Sequence, residues 1–139
     1  MTDPDCVFCK IIARQIPSFV LYEDDSVLAF LDIAPFEKGH ALVVPKYHAV
    51  HLTDLPDPML ATLMPAAKRV ATLLLTRLPC DGFNVLQSNG RCATQVVPHV
   101  HFHVIPRWNG RAMNWISGSY DSADEIAAFH RRLTNAKPV

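Results

Sequence analysis

His99-Val100-His101-Phe102-His103-Val104-Ile105 alternates three imidazoles with large apolar side chains. A period of two is that of a β-strand, in which residues i, i+2 and i+4 share one face. The pattern predicts one strand over Pro98–Pro106. His99, His101 and His103 line one face, about 6.7 Å apart per step, and Val100, Phe102 and Val104 enter a core on the other. Imidazole titrates near neutral pH and serves as nucleophile, acid, base or metal ligand. A solvated strand face more commonly carries Lys, Glu or Thr, so this row points to chemistry or to a metal.

Around that strand, Leu21–Glu23 and Val27–Leu31 read as strands about the turn Asp24-Asp25-Ser26. Ala41–Pro45 and Gly82–Gln87 are two more. Phe8–Arg14 reads as a short helix stopped before Pro17. Asp57-Pro58 is a helix start, with Asp57 as N-cap, and the apolar stripe that follows predicts a helix to Leu78 with a kink at Pro65. Asp121–Leu133 is a final helix. Strands joined by short turns favour antiparallel pairing. The fold class expected is α+β: a five-stranded antiparallel sheet, one long helix, and shorter N- and C-terminal helices.

The chain has 139 residues, one domain's length, and half of them are hydrophobic. Thirteen basic residues balance thirteen acidic ones, which argues against general nucleic-acid binding and against an anionic-membrane surface. Met59–Leu78 is interrupted by Pro65, Lys68 and Arg69 and does not read as a membrane span. Met1–Cys6 is acidic and lacks the apolar core of a signal peptide. The expected compartment is the cytosol, where Cys6, Cys9, Cys80 and Cys92 would stay reduced.

Three histidines spread over about 13 Å of extended strand cannot share one metal shell. A neutral imidazole can instead attack phosphorus, splitting one displacement into two. It needs its proton held on the other ring nitrogen, and neutral donors for the phosphate. Asn89 and Gln95, in the loop before the triad, are such donors, and Gly90 permits a tight turn there.

The stretch resembles the His-φ-His-φ-His-φ-φ signature of the histidine triad nucleotide-binding family, where φ is hydrophobic. Cys6-Val7-Phe8-Cys9-Lys10-Ile11-Ile12, Phe30-Leu31-Asp32-Ile33-Ala34-Pro35, Gly39–His48 and Asn89–Arg107 are similar to the family in order and spacing. The resemblance covers most of residues 6–107. It is nearest the small nucleoside phosphoramidase branch, bacterial type, and implies a single domain over residues 1–139. The His-Pro-His core of the uridylyltransferase relatives is absent.

The resemblance implies roles by position. His101 is the nucleophile, and His103 contacts the phosphate. The carbonyl of His99 holds the Nδ1 proton of His101, and His40 stands close behind the triad. Asp32 binds both ribose hydroxyls. Phe8, Ile11, Phe30, Ile33 and Leu42 form the base pocket, for which ordinary core packing is the alternative. Asn89, Gln95 and the N–H of Val96 face the phosphate. Animal members carry Ser where this chain has Val96, so one hydroxyl is missing. The ligand implied is a purine nucleotide of the AMP type, the assembly a homodimer, and no catalytic cofactor is called for.

Cys6-x-x-Cys9 has three readings: a redox pair, two buried thiols, or half of a structural zinc site. By resemblance to bacterial members, His48 and His99 would complete a Cys₂His₂ set, with His51 as the alternative ligand. The activity expected is cleavage at the α-phosphate of nucleoside 5′-phosphoramidates or related adenylates, adenosine first, through a nucleotidyl-histidine. A dinucleoside polyphosphate hydrolase and a non-enzymatic nucleotide sensor or scaffold are the rivals.

Overall fold

Val27–Leu31 and Ala41–Pro45 are apolar throughout, and all their residues are buried. Strands buried on both faces require a sheet covered on both sides. The computed structural model of the chain describes residues 1–135. It has five strands, β1 (Val20–Glu23), β2 (Val27–Leu31), β3 (Ala41–Pro45), β4 (Gly82–Gln87) and β5 (Phe102–Arg107), in the spatial order β1-β2-β3-β5-β4. Every pairing is antiparallel.

One face carries Val27, Ala29, Leu31, Ala41, Val43 and Val104 into the larger core. That core is closed by α3 (Leu63–Arg77) and α4 (Ala123–Thr134). Leu63, Val70 and Leu74 of α3 are fully buried there, each contributing roughly 1.5–3 kcal/mol. The other face carries Leu28, Phe30, Leu42 and Val44 against Phe8 and Ile11 of α1 (Val7–Ile12). His99 and His101 pack against Phe8 in this second, thinner layer, where only a short helix covers the sheet.

Several expectations are corrected in detail. The strand predicted over Pro98–Pro106 begins at Phe102, because β4 ends at Gln87, which pairs with Phe102, and leaves the earlier residues no ladder partner. Val100 N–H instead reaches the carbonyl of Ala49 at 2.8 Å. The helix predicted over Asp57–Leu78 is two: α2 (Asp57–Leu60) and α3, divided at Ala61-Thr62. Pro65 falls in the first turn of α3, where a backbone N–H has no intrahelical partner, so no kink forms there. The N-cap of α2 is Pro56, not Asp57. The last helix is capped by Ser122, whose side chain accepts the Glu125 N–H. His130 is half-buried: its Nε2 lies 2.7 Å from the Val20 carbonyl and joins α4 to β1.

Candidate functional site

A ring nitrogen facing a carbonyl must carry the proton, and one facing a backbone N–H must not. These two rules assign most of the histidines. His101 Nδ1 lies 2.6 Å from the carbonyl of His99, so Nδ1 is protonated and Nε2 presents a bare lone pair. Burial pushes His101 below the ordinary imidazole range, outweighing the His99 carbonyl and the Asp32 carboxylate, which both act upward. The lone pair is therefore available at neutral pH.

His40 is fully buried at the entry to β3. Its Nδ1 accepts the Phe36 N–H at 3.0 Å, so its proton sits on Nε2, 2.8 Å from His103 Nδ1. His103 then accepts on Nδ1 and keeps its own proton on Nε2. A relay of two rings turns one backbone N–H into an imidazole donor beside His101, at a ring-centroid separation of 4.9 Å. Burial, with His103, Arg107 and His101 nearby, pushes His40 down to about 3. Burial and His101 push His103 down to about 4. Both rings are neutral at pH 7, as the relay requires. Gly39 makes the approach to His40 possible: its φ is +101°, and a Cβ there would run into Leu78 Cδ1.

Asp32, just after β2, accepts the Ala34 N–H on Oδ1 at 2.8 Å, and its Oδ2 stands 3.7 Å from His40 Nε2. Burial pushes its carboxyl up, against the Ala34 N–H and His101. Phe8, Ile11, Phe30 and Leu42 come together in the buried cluster under the triad, with Phe8 edge-on to His101 at 5.1 Å. Ile33 stands apart, 76% exposed.

The phosphate-side residues are engaged with the protein. Gln95 is buried; its Oε1 accepts the Gly90 N–H and its Nε2 donates to the Val50 carbonyl, both at 2.7 Å. Asn89 exchanges hydrogen bonds with Gln87, and its Oδ1 also accepts the Leu52 N–H. Both therefore shape the loop itself. Val96 is 88% exposed.

Cys6 is the N-cap of α1 and its Sγ accepts the Cys9 N–H at 3.4 Å. The i, i+3 spacing brings both sulfurs to one side, where they meet His48 and His99. His99 Nδ1 lies 3.3 Å from Cys6 Sγ, 3.7 Å from Cys9 Sγ and 3.1 Å from His48 Nδ1, and Cys9 Sγ lies 3.4 Å from His48 Nδ1. His99 Nε2 donates to the Pro45 carbonyl at 2.9 Å, which leaves Nδ1 bare for a cation. His48 Nε2 stands 3.7 Å from the Asp3 carboxylate. These four side chains can hold one metal ion. His51, the alternative, is an exposed ring beside Asp54, outside the cluster. Asp32, His40 and His103 also converge, but His40 Nε2 carries the relay proton and has no lone pair to give.

Sequence reasoning missed Phe36, Pro45, Ala49, Val50 and Asp3, which act through the main chain or across long separations. It also missed Arg107, which donates from Nε to Asn84 Oδ1 at 2.8 Å and lies over the Trp115 ring at 4.7 Å.

A family profile described as HIT domain matches residues 13–110. The chain is 46% identical over 134 residues to adenosine 5′-monophosphoramidase HNT1 of Saccharomyces cerevisiae, covering 94% of this chain and 82% of that protein. Among solved structures it is similar to a Hit-like protein involved in cell-cycle regulation from Bartonella henselae, with TM-score 0.86, 32% identity, and 96% and 98% of the two chains covered. It is also similar to a Zn-bound histidine triad family protein from Mycobacterium smegmatis, with TM-score 0.82, 37% identity and 93% of each chain covered.

Proposed function

The chain belongs to the histidine triad (HIT) family, and from that premise we propose that it is a nucleotide-binding hydrolase cleaving nucleoside 5′-phosphoramidates, adenosine's first, at the α-phosphate. The observation that carries this reading is the 2.6 Å contact of His101 Nδ1 with the His99 carbonyl. It leaves a bare lone pair on Nε2 and supplies an acceptor for the charge that appears when that nitrogen bonds to phosphorus.

The lone pair of His101 Nε2 attacks the α-phosphorus. The P–N bond breaks, and the amine leaves with the bonding pair and a proton taken from solvent, which the water of the second step gives back. The nucleotidyl-imidazolium formed is stabilised by the His99 carbonyl and by Asp32, whose charge already favours a positive His101. His103, with its proton on Nε2, donates to a phosphoryl oxygen. Water then attacks the same phosphorus, releasing the nucleoside monophosphate and restoring His101. Asp32 accepts the ribose hydroxyls, and the clustered Phe8, Ile11, Phe30 and Leu42 form the base pocket.

A tetrahedral zinc site, with Zn–S about 2.3 Å and Zn–N about 2.0–2.1 Å, separates its ligand atoms by roughly 3.3–3.8 Å. Four of the six ligand-atom separations in the Cys6, Cys9, His48, His99 cluster are 3.1–3.7 Å and all lie within 4.8 Å, close to the spacing of that ion. Burial pushes the Cys6 thiol up, so a thiolate there needs a cation beside it. Bound zinc would be closed by four protein ligands and would hold structure rather than activate water. The same reading includes a homodimer in the cytosol. Exposed Met64 and Leu75 of α3 with Phe83 and Val85 of the edge strand β4 are the apolar face a second copy would cover.

The decisive experiment compares turnover of adenosine 5′-phosphoramidate with that of diadenosine polyphosphates, together with single-turnover trapping of labelled nucleotide on the protein. His101→Ala should abolish turnover and labelling while retaining most nucleotide affinity. Preference for the dinucleotides would favour the rival hydrolase. Turnover in His101→Ala within about tenfold of wild type, ~1.4 kcal/mol of barrier, would remove His101 as nucleophile.

A further inference from the structure

Phe36 stands between the histidines and the C-terminal segment, outside every motif of the chain. Its N–H donates to His40 Nδ1 at 3.0 Å. Its ring lies nearly parallel to His103, at 10° with centroids 6.1 Å apart, and tilted on His40 at 5.0 Å. Its carbonyl accepts from Asn114 Nδ2 at 2.8 Å. One residue earlier, the Pro35 carbonyl accepts the Gly118 N–H at 2.8 Å. Trp115 meets the Phe36 ring edge-on, at 6.1 Å and 73°. Residues 114–118 thus strap down the backbone at 35–36 by two hydrogen bonds and an aromatic contact.

The N–H of Phe36 sets the polarity of two rings. Were it to leave His40 Nδ1, that nitrogen would be free to take the proton, and His40 Nε2 would accept from His103 instead of donating. His103 would then carry its proton on Nδ1 and turn a lone pair toward the substrate, which repels phosphoryl oxygens. The parallel ring of Phe36 works in the same direction by fixing the plane of His103.

We propose that Phe36, held by Asn114, is a positioning residue that keeps the proton on Nε2 of His103 and so presents a donor to the phosphoryl group. The role deepens the hydrolase reading and, as far as catalysis goes, rests on it.

The test is made on the free full-length protein with ¹⁵N-labelled histidine, reading the ring nitrogens of wild type, Asn114→Ala and Phe36→Leu at neutral pH. Wild type should show His40 and His103 each protonated at Nε2 alone. Asn114→Ala frees the Phe36 carbonyl, and Phe36→Leu removes the ring while keeping the N–H. Each should average the His103 tautomers and leave the His101 signals unchanged. Each should also lower kcat about tenfold with KM within about threefold, as expected of a group that acts in the transition state. Unaltered ring signals in both variants would overturn the proposal, even if thermal stability and kcat fell, as would a wild-type His103 protonated on Nδ1. Should Phe36→Leu fail to fold, Asn114→Ala, in a partly exposed loop, decides alone. If wild type hydrolyses no phosphoramidate yet the ring signals move as described, the hydrolase reading falls and the positioning role stands.

Discussion

His40→Gln isolates the energetic cost of holding an imidazole neutral. Glutamine can accept the Phe36 N–H on its oxygen and donate to His103 Nδ1 from its amide, as His40 does, but it does not titrate. In wild type the folded His40 binds its proton only near pH 3, whereas an unfolded histidine does so near pH 6.5. Between those values the unfolded chain holds the extra proton. Stability therefore falls as the pH is lowered, by about 1.4 kcal/mol per pH unit for this one group. From pH 7.5 to 4.5 His40 alone removes about 2.7 kcal/mol, a large share of a domain's usual 5–15 kcal/mol. At pH 7.5 its effect is negligible. Acid loss of any metal held by the cysteine cluster and the titration of the other histidines are common to both proteins and cancel in the comparison. Urea unfolding at pH 7.5, 6.5, 5.5 and 4.5 gives the difference directly. The gap between wild type and His40→Gln should move in the variant's favour by about 2.7 kcal/mol from the top of that range to the bottom. A gap that stays constant within about 0.5 kcal/mol would refute the claim that the buried relay holds His40 neutral.

Asp32→Ala should weaken ribonucleotide binding more than 2′-deoxyribonucleotide binding, because each charge-assisted bond is worth roughly 1.5–3 kcal/mol; equal losses by titration calorimetry would show that Asp32 does not read the 2′-hydroxyl. Cys9→Ser should lower bound zinc and thermal stability together, and elemental analysis of wild-type protein prepared without added metal should give close to one zinc per chain. A fully folded, active wild type with well under one would leave Cys6 and Cys9 as plain thiols. Gln95→Leu strands the Gly90 N–H and the Val50 carbonyl, so it should cost about 2 kcal/mol in urea melts and raise KM; a change of less than about 0.5 kcal/mol would mean that water replaces both bonds.

The parts of the fold legible in the sequence were those decided by short-range pattern. β2, β3 and β4 begin and end where their residue runs do, because short apolar runs bounded by turn residues settle them. The start of β5 was not legible, since it depends on where a strand more than ten residues away stops. Pro65 misled for a related reason: its cost depends on its distance from the helix start, and the break at Ala61-Thr62 carries no sequence mark. In the site, His101, His103 and Asp32 were named from their motifs, and the structure gathers them with His40. The cysteine pair left three readings open until the distances to His48 and His99 were known. Phe36 was invisible because its partner Asn114 lies 78 residues away and both bonds use main-chain atoms, which every residue type possesses.

His99 divides its duties by atom. The imidazole faces the cysteine cluster and Pro45, and the carbonyl alone orients His101. Every amino acid has that carbonyl. The side chain at position 99 is thus free to drift without disarming His101, provided the backbone stays extended as it enters β5. A descendant of this chain can change Cys6, Cys9, His48 and His99 to well-packed apolar residues and still inherit the arrangement of His101 and His103. The histidine that opens the motif is, for the orientation of His101, the one whose side chain matters least.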